Sequence, residues 1–207
     1  MNVYEPLDKA LVEINRYNLR EFGKLRLAPK DELNVIRQVR TVYSDSTKLM
    51  QKRFRKACED AFWMYLVLCG MDTDKALRMA SGEITATWLY ERMSEIDQVT
   101  RYRFIDEADR KEKRLMESMT IPEGRDEAVD GALKLWTRQI GWFGIHVTDR
   151  AALQAMQEMG VEKVRWNSEK DGKQCGECDE RDGTVYAIGK VPPKPHHGCR
   201  CWLTPVR

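Results

Sequence analysis

The sequence predicts an α+β protein, with a mostly helical N-terminal part followed by a small antiparallel β module. Apolar residues recur at helical spacing through the first part of the chain, whereas strand signals appear only beyond residue 160. The clearest linker, Thr120–Gly124, lies between the two. We therefore expect a helical domain over residues 1–121 and a C-terminal module of helices and a small sheet over residues 122–207.

Composition excludes several classes of protein. The chain has 207 residues, of which 42% are hydrophobic and 33% charged, which is typical of a globular protein with charged helix surfaces. The formal net charge of +2 does not predict non-specific nucleic-acid binding, which needs a large basic excess. The longest apolar run, 61–69, is too short to cross a bilayer, and the first residues show no export signal.

The helical part begins with an apolar stripe over residues 7–22. Asp31 is placed to cap a second helix, whose pattern continues into the buried run 61–69. Gly70 follows as a C-terminal stop. These signals predict two successive amphipathic helices, the second one long.

Further helices follow. The acidic residues of 72–74 offer an N-cap for a short helix, and Ser81 and Gly82 break the pattern before a long helix from about Glu83 to Ser118. Its charged second half, 106–117, is interpreted as a solvated helix with i,i+4 ion pairs.

The C-terminal module begins with an apolar helical stripe over residues 126–145. We expect Thr148 or Asp149 to cap a separate short helix that ends at Gly160, and His146 to be a packed or cap-adjacent residue. The predicted strands are Val161 to Trp166, Thr184 to Ile188, and Arg200 to Val206.

Four of the six cysteines and two of the three histidines fall between residues 175 and 201. Cys175-x-x-Cys178 lets one tight turn direct two thiolates at a common centre, and His196-x-x-Cys199 offers an imidazole and a third thiolate. This donor set is the combination that Zn²⁺ prefers. Cys201 would point to the same side as Cys199 on a strand, so His196, His197 or Cys201 remains open as the fourth ligand.

A structural metal is the favoured interpretation of this Cys/His knuckle. The last 45 residues or so hold few large apolar side chains, and a unit this small needs a staple. Protein atoms would fill all four positions, which disfavours hydrolysis by a metal-bound water. The alternatives are a disulfide, unliganded thiols that pack as small hydrophobes, and, less favoured, redox catalysis by Cys175 and Cys178.

The sequence shows no recognisable set of catalytic nucleophile, base and orienting residue. It also has no Walker loop, Gly-x-Gly-x-x-Gly or His-Glu-x-x-His motif. The sequence therefore predicts that the protein is not an enzyme. Cys58 and Cys69 have the surroundings of core packing residues.

The C-terminal segment resembles a known family. The motifs are Val164-Arg165-Trp166, Cys175-x-x-Cys178, Asp182-Gly183, Pro192-Pro193 and His196-x-x-Cys199-Arg200-Cys201, ending in Leu203-Thr204-Pro205-Val206. In this order and spacing they resemble the C-terminal module of phage minor head proteins, or head morphogenesis proteins, of the phage Mu F type. The resemblance covers about residues 138–207, with His197-Gly198 as a modest departure.

The resemblance implies a minor capsid protein of a tailed phage, found in the virion and, during assembly, in the host cytoplasm. Its partner would be the portal protein, and its role head assembly, DNA packaging or DNA delivery, with possible contacts to major capsid or scaffolding protein. An alternative is a zinc-knuckle nucleic-acid-binding protein that uses cations near the metal, namely Lys190, Lys194, Arg200 and Arg207. An enzymatic or toxin domain is a third hypothesis, for which the helical part shows no catalytic set.

Overall fold

The computed structural model describes residues 3–27, 32–81, 110–119, 124–169 and 175–206. The predictions for Asp31, for the helix between Glu83 and residue 109, and for the linker residues 120–123 lie outside these ranges.

Four long or medium helices are described: α1 (Glu5–Leu25), α2 (Glu32–Leu68), α3 (Thr73–Ser81) and α4 (Arg125–Glu158). Residues 110–119 are also helical. The first two predicted helices are confirmed, and Gly70 ends the second region with a φ of 95°, a conformation that glycine adopts without strain. Asp72 caps α3, because its Oδ1 accepts a hydrogen bond of 3.0 Å from the Lys75 amide.

The predicted helix boundary near Thr148 is wrong, because α4 runs without a break from Arg125 to Glu158. The Thr148 hydroxyl donates a hydrogen bond of 2.8 Å to the Gly144 carbonyl one turn earlier. Its hydrogen-bonding capacity is therefore used inside α4, and Thr148 does not cap a new helix. Asp149 receives its hydrogen bonds from distant residues. His146 is exposed on the same helix, so it is not a packed residue.

Three short strands make one antiparallel sheet: β1 (Lys163–Asn167), β2 (Val185–Ala187) and β3 (Trp202–Val206). The order is β2-β1-β3, so β1 is central. It pairs Val164 with Tyr186 on one side and Trp166 with Leu203 on the other. Helices followed by a small antiparallel sheet, with a Cys/His cluster beside it, confirm the predicted fold class.

The described residues group into two compact units, each made of separate stretches of chain. The first unit takes residues 3–8, 56–81, 142–169 and 175–206, and therefore includes the sheet. The second takes residues 9–27, 32–55, 110–119 and 124–141. The domain boundary at 121/122 stays a prediction, because grouping by contact does not establish which part folds alone.

None of the helices within the described ranges combines the length and apolar character needed to span a membrane.

Candidate metal centre

The first pair of cysteines sits at the start of a short helix, α5 (Gly176–Arg181), with Cys175 as its N-cap residue. The Asp179 amide donates to the Cys175 carbonyl at 3.1 Å, so the chain turns helically between the cysteines. The sequence predicted a tight turn followed by charged residues. Residues 176–181 include no proline or β-branched residue that would oppose a helical turn.

The second pair of donors lies on a four-residue turn, His196 to Cys199, closed by a 3.3 Å hydrogen bond from the Cys199 amide to the His196 carbonyl. Gly198 occupies its third position with a φ of 80°. A positive φ at that position is the signature of a type II turn, which glycine forms without steric cost. The turn places the His196 ring and the Cys199 thiol next to Cys178 on α5.

The distances from Cys178 Sγ to three other donor atoms are close to those that one bound metal ion would give. Cys178 Sγ lies 3.4 Å from Cys175 Sγ, 3.6 Å from Cys199 Sγ and 3.7 Å from His196 Nε2. Tetrahedral Zn²⁺, with bonds of ~2.3 Å to sulfur and ~2.0 Å to nitrogen, would hold sulfur pairs ~3.8 Å apart and sulfur–nitrogen pairs ~3.5 Å apart. The three edges that meet at Cys178 are therefore close to those of such a tetrahedron, whereas Cys199 does not join the group of donors that Cys175, Cys178 and His196 form within 4.8 Å.

The five predicted ligands fall into two groups that share Cys178. Donor atoms of Cys175, Cys178 and His196 lie within 4.8 Å of one another, and so do those of Cys178, Cys199 and Cys201. This Cys/His cluster could hold a metal ion. The structure thus places the five residues that the sequence singled out in two overlapping groups of three, and no four of them form a group within that distance.

The two histidines differ in what they face. His196 Nδ1 lies 3.1 Å from the His197 carbonyl oxygen, which only accepts, so Nδ1 carries the proton and the Nε2 lone pair faces Cys178. A backbone acceptor on the far nitrogen is the usual second contact of a metal-bound histidine. His197 instead stacks on Trp142, with ring centroids 4.6 Å apart.

A small apolar core supports the cluster. Trp166 on β1 is buried together with Cys178, Cys199 and Cys201, and partly buried hydrophobic residues pack against this group: Cys175, Tyr186, Val191 and Leu203. Ser168, just after β1, links Cys178 on α5 to Cys201 before β3. Its hydroxyl donates to the Cys178 carbonyl and lies 3.7 Å from Cys201 Sγ.

Asp182 fixes the loop that follows α5, because its carboxylate accepts from the Ser168 amide at 2.8 Å. The next residue, Gly183, donates its amide to the Trp166 carbonyl at 2.8 Å with a φ of 77°. The Asp-Gly pair of the sequence motif therefore anchors the first ligand-bearing segment to the central strand.

Burial and mutual hydrogen bonds shift the pKa values of three clustered thiols in different directions. Burial raises the pKa of Cys178 to about 12. The hydrogen bond shared by Cys199 and Cys201 raises the pKa of Cys199 and lowers the pKa of Cys201 to about 5. The shifts have opposite directions because an ionised Cys201 accepts the hydrogen bond that the protonated Cys199 thiol donates.

A second set of residues, missed by sequence reasoning, surrounds the carbonyls of the ligand segment. Lys194 Nζ donates to the Cys199 carbonyl at 2.9 Å and to Tyr4 Oη at 2.6 Å, and it pairs with Asp149 at 2.6 Å. Arg200 binds the Asp8 carboxylate through two hydrogen bonds of 2.9 Å. No spacing signal could reveal them, because the partners are separated by as many as 192 residues.

Asp149 is the acidic centre of this network. Burial raises the pKa of its carboxyl, although Lys194 and the Tyr4 hydroxyl both favour the ionised form. Burial and the neighbouring Asp149 charge also raise the pKa of Tyr4 well above its usual value, so the phenol stays a hydrogen-bond donor. The sequence had offered Asp149 only as a helix cap.

Comparisons of this chain with models of protein families, with curated proteins and with solved structures find no match.

Proposed function

We propose that the Cys/His cluster binds one structural Zn²⁺ and that this ion staples the C-terminal sheet to the two ligand-bearing turns. The observation that carries the proposal is the set of 3.4, 3.6 and 3.7 Å separations around Cys178, which are three of the six edges of a tetrahedron at about the lengths that Zn²⁺ gives. Binding would also draw Cys199 towards Cys175 and His196, which form a separate group with Cys178. Cys175, Cys178 and Cys199 supply three thiolates. His196 supplies the fourth donor, because its Nε2 lone pair faces Cys178 while Nδ1 is held by a backbone carbonyl.

X-ray absorption at the metal edge tests the ligand set. Three sulfur scatterers and one nitrogen scatterer in the first shell are expected. Four sulfur scatterers would mean that Cys201, and not His196, is the fourth ligand. The variant His196→Ala would then leave the spectrum unchanged. A shell dominated by oxygen would contradict the site altogether.

Metal content gives the first prediction. The purified protein should hold about one equivalent of zinc, and Cys175→Ser or Cys199→Ser should abolish it, since each removes a thiolate from a four-ligand site. Cys58→Ser and Cys69→Ser are the controls, because Cys58 is buried and Cys69 half-buried outside the cluster. Zinc content is read by elemental analysis of protein passed through a desalting column.

A metal-free preparation whose four clustered thiols all react in the native state would refute the zinc site. Protein in which Cys175 and Cys178 instead form a reversible disulfide would favour the redox alternative. That outcome has a structural basis, because Cys175 opens a helix as redox cysteine pairs do.

We further propose that the protein is a minor head protein of a tailed phage that acts at the portal in head assembly, DNA packaging or DNA delivery. Support comes from the order and spacing of the C-terminal motifs. It also comes from the way in which the segments that carry these motifs meet around the Cys/His cluster. In this role the module is a rigid docking platform, and no catalytic step is assigned to it.

The head-assembly proposal is tested in two ways. Co-purification of the tagged protein with the portal protein of the same phage is expected, and Cys199→Ser should reduce it because the platform loses its staple. A phage that lacks this product and still yields filled, infectious heads would overturn the proposal.

The nucleic-acid alternative is less well supported by the charges near the cluster. Lys194 pairs with Asp149, and Arg200 pairs with Asp8 and Glu169, so two of the four cations that it requires are engaged inside the protein. Lys190 is exposed, and Arg207 lies outside the described residues. Tight DNA or RNA binding that weakens steeply with salt would restore this alternative.

A further inference from the structure

We propose that residues 3–8 form part of the support of the metal centre, with Tyr4 as the positioning residue, so that metal binding and docking of this segment stabilise each other. The inference rests on the proposed metal site and extends it to a segment almost 170 residues earlier in the chain.

Tyr4 reaches the ligand segment directly. Its side chain is 2% exposed, and its hydroxyl lies 3.0 Å from the Cys201 carbonyl and 2.7 Å from Asp149 Oδ1. The hydroxyl also accepts from Lys194 Nζ, which donates to the Cys199 carbonyl as well. The Tyr4 hydroxyl has one hydrogen, which Asp149 and the Cys201 carbonyl share, while Lys194 donates to the Cys199 carbonyl. The carbonyls of both cysteines in the Cys-Arg-Cys motif are therefore contacted by one group of side chains.

Charge and ring contacts hold the same segment in place. The Tyr4 ring faces two cations, with Arg200 Cζ 4.9 Å and Lys194 Nζ 5.1 Å from its centroid. Arg200, which lies between the two cysteines, makes a two-bond ion pair with Asp8. Such a bidentate pair fixes direction as well as distance. The backbone at Cys199 and Cys201 is thus held by side chains other than the five candidate ligands.

The two events must then be coupled. A residue that holds the ligand backbone in the metal-bound geometry raises metal affinity, and by linkage the metal raises the stability of the docked segment by the same factor. Tyr4 contacts the backbone carbonyl of Cys201, so its effect on the metal passes through the position of the ligand backbone.

The test compares Tyr4→Phe with Tyr65→Phe. Both tyrosines are 2% exposed. The Tyr65 hydroxyl also donates to a backbone carbonyl, that of Leu203 on β3, at 3.1 Å, and Leu203 lies two residues after Cys201. Zinc dissociation constants are measured by competition with a chromogenic chelator, and unfolding by urea. Tyr4→Phe should weaken zinc binding about tenfold or more, whereas Tyr65→Phe should change it less than about threefold at a comparable loss of stability.

A second readout follows the segment itself. In the wild-type chain, removal of zinc should accelerate amide hydrogen exchange in a peptide covering residues 3–10. Equal effects of the two substitutions on zinc affinity, or exchange in that peptide that does not respond to zinc, would overturn the coupling while leaving the metal site standing. A wild-type chain that binds no zinc would overturn both proposals.

Discussion

Gly198 is the residue on which the second ligand-bearing turn depends. Its φ of 80° lies in the left-handed region, and a Cβ added there would lie 3.1 Å from Trp142 Nε1 and 3.3 Å from Trp142 Cδ1. The same Trp142 ring stacks on His197, so it has little room to retreat. Glycine is therefore favoured at this position by the backbone conformation, and an added Cβ would in addition require Trp142 to shift by a few tenths of an ångström.

Three glycine-to-alanine substitutions separate these two effects. Gly189→Ala should be nearly neutral, because φ is not positive there and nothing lies within 4 Å of the added Cβ. Gly183→Ala adds only the strain of a φ of 77°, at a cost of about 1–2 kcal/mol. Gly198→Ala adds the clash as well, so its urea midpoint should fall the most. Equal stability of Gly183→Ala and Gly198→Ala would show that Trp142 moves freely.

At the scale of elements, the helices of the second unit meet around buried polar and aromatic groups. Ser46 on α2 donates to Asn18 Oδ1 on α1 at 2.6 Å and accepts from Trp136 Nε1 on α4 at 2.8 Å. Tyr43, one turn earlier, meets Phe22 and Trp136 edge to face, with centroids 5.3 and 4.8 Å apart. One hydroxyl and one ring thus fix the mutual register of three helices.

Ser46→Ala should destabilise this unit by about 1–3 kcal/mol, since it leaves a buried amide oxygen and a buried indole N–H without that partner. Ser118→Ala is the matched control, because Ser118 is exposed and its hydroxyl only donates to the Arg114 carbonyl one turn earlier. Urea unfolding monitored by circular dichroism gives both values. A loss no larger for Ser46→Ala than for the control would mean that the hydroxyl is not needed for helix packing.

At the scale of the whole molecule, the metal donors all belong to the first unit. That unit also contains residues 3–8 and 56–81, so the C-terminal sheet packs together with helical residues from distant parts of the chain. Tyr65 on α2 illustrates this, because its hydroxyl donates to the Leu203 carbonyl on β3. Removal of the metal is therefore expected to loosen helical residues as well as strands.

Hydrogen exchange with and without a zinc chelator should reveal this division. Peptides within 163–206 should lose protection by about tenfold or more, and peptides within 56–68 by a clearly smaller factor, because both belong to the unit that contains the proposed metal site. Peptides within 9–25 and 32–55 serve as the internal control and should change little. Uniform loss of protection along the chain would show that the two units unfold together.

Several elements follow from the sequence because their causes are local. The stripe over 7–22, the stop at Gly70 and the Asp72 cap depend on periodicity and on hydrogen bonds within a turn, and all three appear in the structure. The boundary near Thr148 failed because cap residues also occur inside helices when their side chains find other partners.

The sequence by itself determined the helix-then-sheet architecture and the five candidate donors, because both are written in residue type and spacing. Only the tertiary structure decided that Cys175 opens a helix, that His196 and not His197 faces Cys178, and that Tyr4 and Asp8 reach the ligand segment. These contacts join residues far apart in the chain, and no local pattern constrains which distant side chains meet when the core closes.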